Sequence, residues 1–178
     1  MKKQIILISI LIFTLLSCNN IVNKNSSNFT SFISQLTTHK ENTEELMRIA
    51  TDNFKDDNKK FTDIKLKYSE IKTAQNTLIN ELITDIQLSN KDFNANSYQQ
   101  KINLIEQTSE NFNKYIDNAL EEKYKRERIG SVPVIPIIDI VLTLSQSIYE
   151  IIQEQNEIKK QEIINTLNSL KIKSYTQL

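Results

Sequence analysis

Residues 61–86 read Phe61-Thr-Asp-Ile64-Lys-Leu-Lys-Tyr68-Ser-Glu-Ile71-Lys-Thr-Ala-Gln-Asn-Thr-Leu78-Ile-Asn-Glu-Leu82-Ile-Thr-Asp-Ile86. Phe61, Ile64, Tyr68, Ile71, Leu78, Leu82 and Ile86 recur three, four or seven apart, which keeps them on one face of a helix with 3.6 residues per turn. Lys, Glu, Asn and Gln occupy the other face. The same spacing recurs on both sides. Upstream it runs Phe29, Phe32, Ile33, Leu36, Met47, Ala50 and Phe54, interrupted by His39, Lys40 and Thr43. Downstream it runs Tyr98, Ile102, Ile105, Phe112, Ile116, Leu120 and Tyr124, then Ile137, Ile140, Val141, Leu144, Ile148, Ile151, Ile158, Ile163, Leu167 and Leu170. Helices of this kind bury their stripes only against one another.

The 178 residues contain one Gly and two Pro. Sandwiches, barrels and propellers need frequent turn residues, and a phosphate-cradling loop needs glycines, so both are excluded. The expected fold is all-α: an antiparallel bundle of about four long helices over 29–178.

The boundaries follow from breaks in the stripes. Ser89-Asn90-Lys91-Asp92 is a polar break, with Asn96 or Ser97 as the cap of the next helix. Gly130 follows Lys123, Lys125, Arg126 and Arg128, a helix stop whose cations suit the negative end of the dipole. Ser131, Pro133 and Pro136 restart a helix. Phe54 and Phe61 stand one heptad apart, so the phase does not change between them. The six polar residues Lys55 to Lys60 favour a turn there; the alternative is an elongated hairpin whose first helix approaches 60 residues.

Residues 1–17 stand apart. Lys2 and Lys3 precede an apolar run from Ile5 to Leu16, too short to span a hydrocarbon core of about 30 Å. Leu15-Leu16-Ser17-Cys18 closes it with the only cysteine in the chain. This arrangement resembles the signal peptide and lipobox of bacterial lipoproteins. The resemblance implies cleavage before Cys18, diacylglyceryl attachment to its thiol and acylation of the new amino group. Several acyl chains anchor stably where one is marginal. The expected organisation is therefore a signal peptide over 1–17, a lipidated cysteine and flexible tether over 18–28, and the helical domain over 29–178. Asn19 is not the aspartate that retains lipoproteins at some inner membranes. The expected location is the periplasmic face of an outer membrane, with the cell surface as the alternative.

Candidate chemistry is sparse. Removal of 1–17 leaves 20 basic against 22 acidic residues, a net charge near −2, which argues against a nucleic-acid partner. His39 is the only histidine and has neither an HExxH nor a Glu-x-x-His neighbourhood, so it reads as a partly exposed helix residue. Glu44-Glu45 and Glu121-Glu122 point about 100° apart on a helix and read as solvated surface. Tyr68, Tyr98, Phe112, Tyr115 and Tyr124 read as core or core rim. No catalytic, metal or cofactor-binding residue is expected, and the protein is expected not to be an enzyme. Val132 to Leu144 is apolar on every side apart from Asp139 and Thr143. It reads as a central core helix, a partner-binding surface or a membrane-inserting segment. Residues 163–175 look like the ends of uncharacterised bacterial helical proteins, a likeness that implies no activity. These readings point to an anchored, non-enzymatic module for a protein partner. The alternative is a membrane-active, pore-forming-like or toxin-antagonising lipoprotein.

Overall fold

The polar run between Phe54 and Phe61 is a turn. Helix α1 (29–54) ends there, and α2 (Asn58–Leu88) starts after residues 55–57. The Asp57 carboxylate accepts the backbone N–H of Lys60 at 3.0 Å, which satisfies one of the donors that a helix start leaves open. At the other side of the turn, Lys123 Nζ donates to the Asn53 carbonyl at 2.5 Å, placing a cation at the negative end of α1. The first two stripes are thus two helices and not one long helix.

The computed structural model describes residues 29–88, 95–124 and 156–178. Over these the protein is an all-α bundle of α1, α2, α3 (Ala95–Tyr124) and a shorter α4 (Glu157–Ser169), followed by a 3-10 turn at Tyr175–Gln177. Cys18 with its leader and tether, the 89–92 break, the basic residues 125–128, Gly130 and the apolar run 132–144 lie outside the described residues.

Cross-helix bonds give the register. Ser97 and Lys101 reach Glu81, Tyr115 reaches Asp63 and Lys60 reaches Glu122, so α2 and α3 are antiparallel. His39 meets Ser109 and Asn53 meets Lys123, so α1 and α3 are parallel with a constant offset of 70 residues. At 1.5 Å per residue the 30 residues of α3 make a rod about 45 Å long.

The apolar stripes fill two clusters. Phe32, Leu36, Leu78, Leu82, Ile102 and Leu167 belong to the first, and Met47, Phe54, Ile64, Tyr68, Phe112 and Ile116 to the second. Full burial of such side chains stabilises by about 1.5–3 kcal/mol each. Three expectations are corrected here. Asn96 and Ser97 lie inside α3, and Ser97 is drawn to Glu81 on the neighbouring helix. The stripe expected from Ile137 to Leu170 is broken at Asn156, whose extended backbone and side chain cap α4 through Ile158 N–H and Lys159 N–H. Ile158, in the first turn after that cap, is 74% exposed.

Candidate functional site

The two apolar clusters meet at a polar layer. His39 of α1, Gln75 of α2 and Ser109 of α3 are buried there. Gln75 Nε2 donates to the Leu170 carbonyl at 2.8 Å, which turns its Oε1 toward His39 Nδ1, 2.6 Å away. Nδ1 therefore carries the proton and donates. In the neutral ring Nε2 is then the acceptor for the Ser109 hydroxyl, at 2.5 Å. One directed chain, Ser109 to His39 to Gln75 to Leu170, ties three helices to the end of α4. Burial holds the His39 pKa below its ordinary 6.5 and outweighs the Gln75 bond, which acts upward. The expectation of a partly exposed histidine is thus overturned: a neutral imidazole with both nitrogens bonded is stable in the interior.

Glu44 departs from its expected role as well. It is buried and accepts the backbone N–H of Lys173 at 3.0 Å, whereas Glu45 is exposed and pairs with Arg48. Glu121 and Glu122 are exposed, as expected. Tyr68, Tyr98 and Phe112 are in the core, Tyr115 is at its rim, and Tyr124 is 44% exposed at the end of α3. The Tyr98 hydroxyl donates to Asp85. Burial, first, and then the carboxylate partners raise the pKa of both Tyr98 and Tyr115. Among the described residues no group of three or more His, Cys, Asp or Glu side chains is placed to hold a metal ion.

Two grooves flank α2. The one shared with α1 is filled by residues 170–178, which leave α4 and run back along α2 toward the turn at 55–57. Leu170 belongs to the first apolar cluster and Ile172 to the second, so this strap crosses the polar layer. Near its end Tyr175 packs edge-on against Phe61, and Lys65 Nζ lies 5.6 Å from the Tyr175 ring centre. The groove shared with α3 is open, with a volume of about 540 Å³. Thr73, Ala74, Thr77 and Thr108 are among its lining residues, together with Leu66 and Leu104, which are 61% and 47% exposed. Glu70 and Lys101 supply charge. No helix among the described residues is long and apolar enough to cross a membrane.

No protein-family model, curated protein or solved structure matches the chain.

Neither the strap nor the polar layer was expected from the stripes, although a signal for the layer is present. His39 and Thr43 fill the space between Leu36 and Met47 in phase, Gln75 stands between Ile71 and Leu78, and Ser109 between Ile105 and Phe112. A polar residue that keeps the phase of an apolar stripe occupies a core position.

Proposed function

We propose that this protein is a membrane-anchored envelope lipoprotein whose helical domain is a non-enzymatic module for binding another protein. Anchoring rests on the lipobox Leu15-Leu16-Ser17-Cys18 and places membrane lipid around the acylated Cys18. The binding role rests on one observation above others: the open α2–α3 groove, where two large apolar side chains stand in water beside small hydroxyl-bearing residues. Apolar residues grouped around a concave surface favour docking, because their burial against a partner releases ordered water and adds about 25 cal/mol for each Å² covered. Glu70 and Lys101 on the same surface restrict which partner orientation is compatible.

The test is photo-crosslinking in the native membrane. A crosslinking residue at Leu104 should yield a discrete adduct that the same residue at Glu45, on an exposed site of α1, does not. Identical adducts from both positions would refute the groove as the docking surface. For the anchor, Cys18→Ser should abolish incorporation of a fatty-acid analogue; label retained by the variant would refute lipidation at that residue.

The second reading, a membrane-active or toxin-antagonising lipoprotein, is supported by the apolar composition of 132–144. Dye release from liposomes by the full chain, or protection of cells against a rival's toxin, would place this reading first.

A further inference from the structure

The outer face of α2 carries a stripe with the same spacing in both directions. Leu66, Thr73, Thr77 and Thr84 stand seven, four and seven residues apart on one side of the helix, so the stripe is symmetric about residue 75. All four are exposed. Leu66, Thr73 and Thr77 line the open groove together with Leu104 of α3. The Glu81–Lys101 and Asp63–Tyr115 contacts fix α3 against α2. In that register Leu104 stands level with the middle of the stripe. Glu70 lies toward one end and Lys101 toward the other, about 10–16 Å apart along the rod. The hydroxyls of Thr84 and Thr108 turn back to the Asn80 and Leu104 carbonyls of their own helices, both at 2.8 Å. They offer nothing to an extended chain, whose backbone N–H and C=O groups would be buried there unpaired. A helix arrives with its backbone bonds already made.

We propose that the occupant of the α2–α3 groove is a second copy of this chain, docked face to face about a two-fold axis that crosses the rod near residue 75. The inference rests on the reading of this groove as a protein-docking surface and names what docks there. A two-fold contact needs a patch that is complementary to itself, and the stripe has that symmetry. Reversal about residue 75 sets Leu66 over the partner's Thr84, Thr73 against the partner's Thr77 and Leu104 beside the partner's Leu104. The small side chains at the centre let the two α2 helices approach closely. Charge selects the antiparallel sense. Glu70 of each copy meets the Lys101 end of the other, whereas parallel rods would set Glu70 against Thr108 and Asn111 and leave both charges without a counterpart across the interface. The area is adequate as well. Two adjacent helices, each about 45 Å long and together about 20 Å wide, present a face of about 900 Å². Stable complexes cover about 800 Å² per partner.

The test co-expresses two full-length copies with different tags, each carrying the photo-crosslinking residue at Leu104, and reads the adducts in the native membrane. An adduct of twice the chain mass that carries both tags is expected. Thr77→Trp, at an exposed position, should lower its yield at least fivefold with helical circular dichroism unchanged. Glu70→Lys should lower it at least threefold. Pairing a Glu70→Lys copy with a Lys101→Glu copy should restore it, because that pair has opposite charges at both ends of the interface. If Lys101→Glu loses its helical signal through its place beside Glu81, Glu70→Gln replaces the restoration: its yield should exceed that of Glu70→Lys at least twofold, since only lysine opposes like charges. A Leu104 adduct with a different protein would overturn the second copy and leave the docking reading in place, and no discrete adduct would overturn both. A two-tag adduct indifferent to Thr77→Trp, or to the charge at residue 70, would report chance encounters and overturn the proposal.

Discussion

The two grooves of α2 differ in what their walls require. Toward α1, the walls carry Glu44, Gln75, Asn76 and the Tyr68 hydroxyl, whose polar atoms are matched by the backbone of residues 170–173. An empty groove there would strand buried donors and acceptors, each at a cost of about 1–3 kcal/mol. Toward α3, the Thr108 hydroxyl turns back to the Leu104 carbonyl of its own helix at 2.8 Å. A wall whose hydroxyl is satisfied within its own helix can stand open to water; a wall whose polar atoms point across the groove demands an occupant. The same pair of helix surfaces, built from similar residue types, thus yields one closed and one open face according to where the polar atoms find partners.

Breaking the closed face should have the largest effect. Ile172→Ala removes a buried side chain from the second cluster and should cost about 2–5 kcal/mol. For a domain of this size that corresponds to a fall in melting temperature of roughly 5–20 °C in differential scanning calorimetry. A fall of a degree or less would mean that the strap is not part of the cooperative unit. Gln75→Leu should come next. It leaves the His39 Nδ1–H and the Leu170 carbonyl without their partner, a loss of about 1–3 kcal/mol in denaturant unfolding. An unchanged midpoint would show that the polar layer does not hold the two clusters together.

The acid dependence sharpens the comparison further, because only the closed face is coupled to a histidine. Burial holds the folded-state pKa of His39 below 6.5. The unfolded chain therefore takes up the proton first as the solution is acidified. The stability that the neutral ring contributes is complete above pH 6.5, declines below it, and stops declining only below the folded-state pKa. Denaturation midpoints measured from pH 8 to pH 5 should fall below 6.5 in the wild type. In His39→Gln that part of the fall should be absent, and parallel curves for the two proteins would contradict a buried neutral imidazole. The smallest effect is expected at the open face. Leu104→Ala should change unfolding stability by no more than about 0.5 kcal/mol, the range of exposed positions away from special features. A loss of 2 kcal/mol would show that the groove is covered in the isolated protein.

The helices were legible in the sequence because their stripes are long and in phase. Phe32, Leu36, Met47, Ala50 and Phe54 are all buried where the spacing puts them, and the polar run after Phe54 turns as its composition requires. The polar layer escaped because the residue type of His39 argues for the surface while its phase argues for the core, and because Gln75 and Ser109, polar residues between apolar ones, carry no signal that singles them out by type. Three polar groups can each find a partner only when three helices bring them together, and spacing along one helix carries no trace of that. The strap escaped for a different reason. Leu170 continues the apolar spacing of α4, no glycine or proline marks the exit, and the bonds that draw residues 170–173 away come from residues about 95 to 130 positions earlier.

The direction of the strap has a mechanical consequence. Phe29 packs against the first cluster and Leu178 against the second, so the start of α1 and the end of the chain lie toward opposite ends of the rod. A pull on Leu178 directed away from Phe29 acts along the strap's own axis and loads its side-chain clasps together, in shear. A pull perpendicular to that axis would open them one after another, from Tyr175 back to Leu170. Tension applied between residues 29 and 178 should therefore meet its greatest resistance at Asn76 and Ile172, and force spectroscopy along the two directions should record different rupture forces for the same set of bonds.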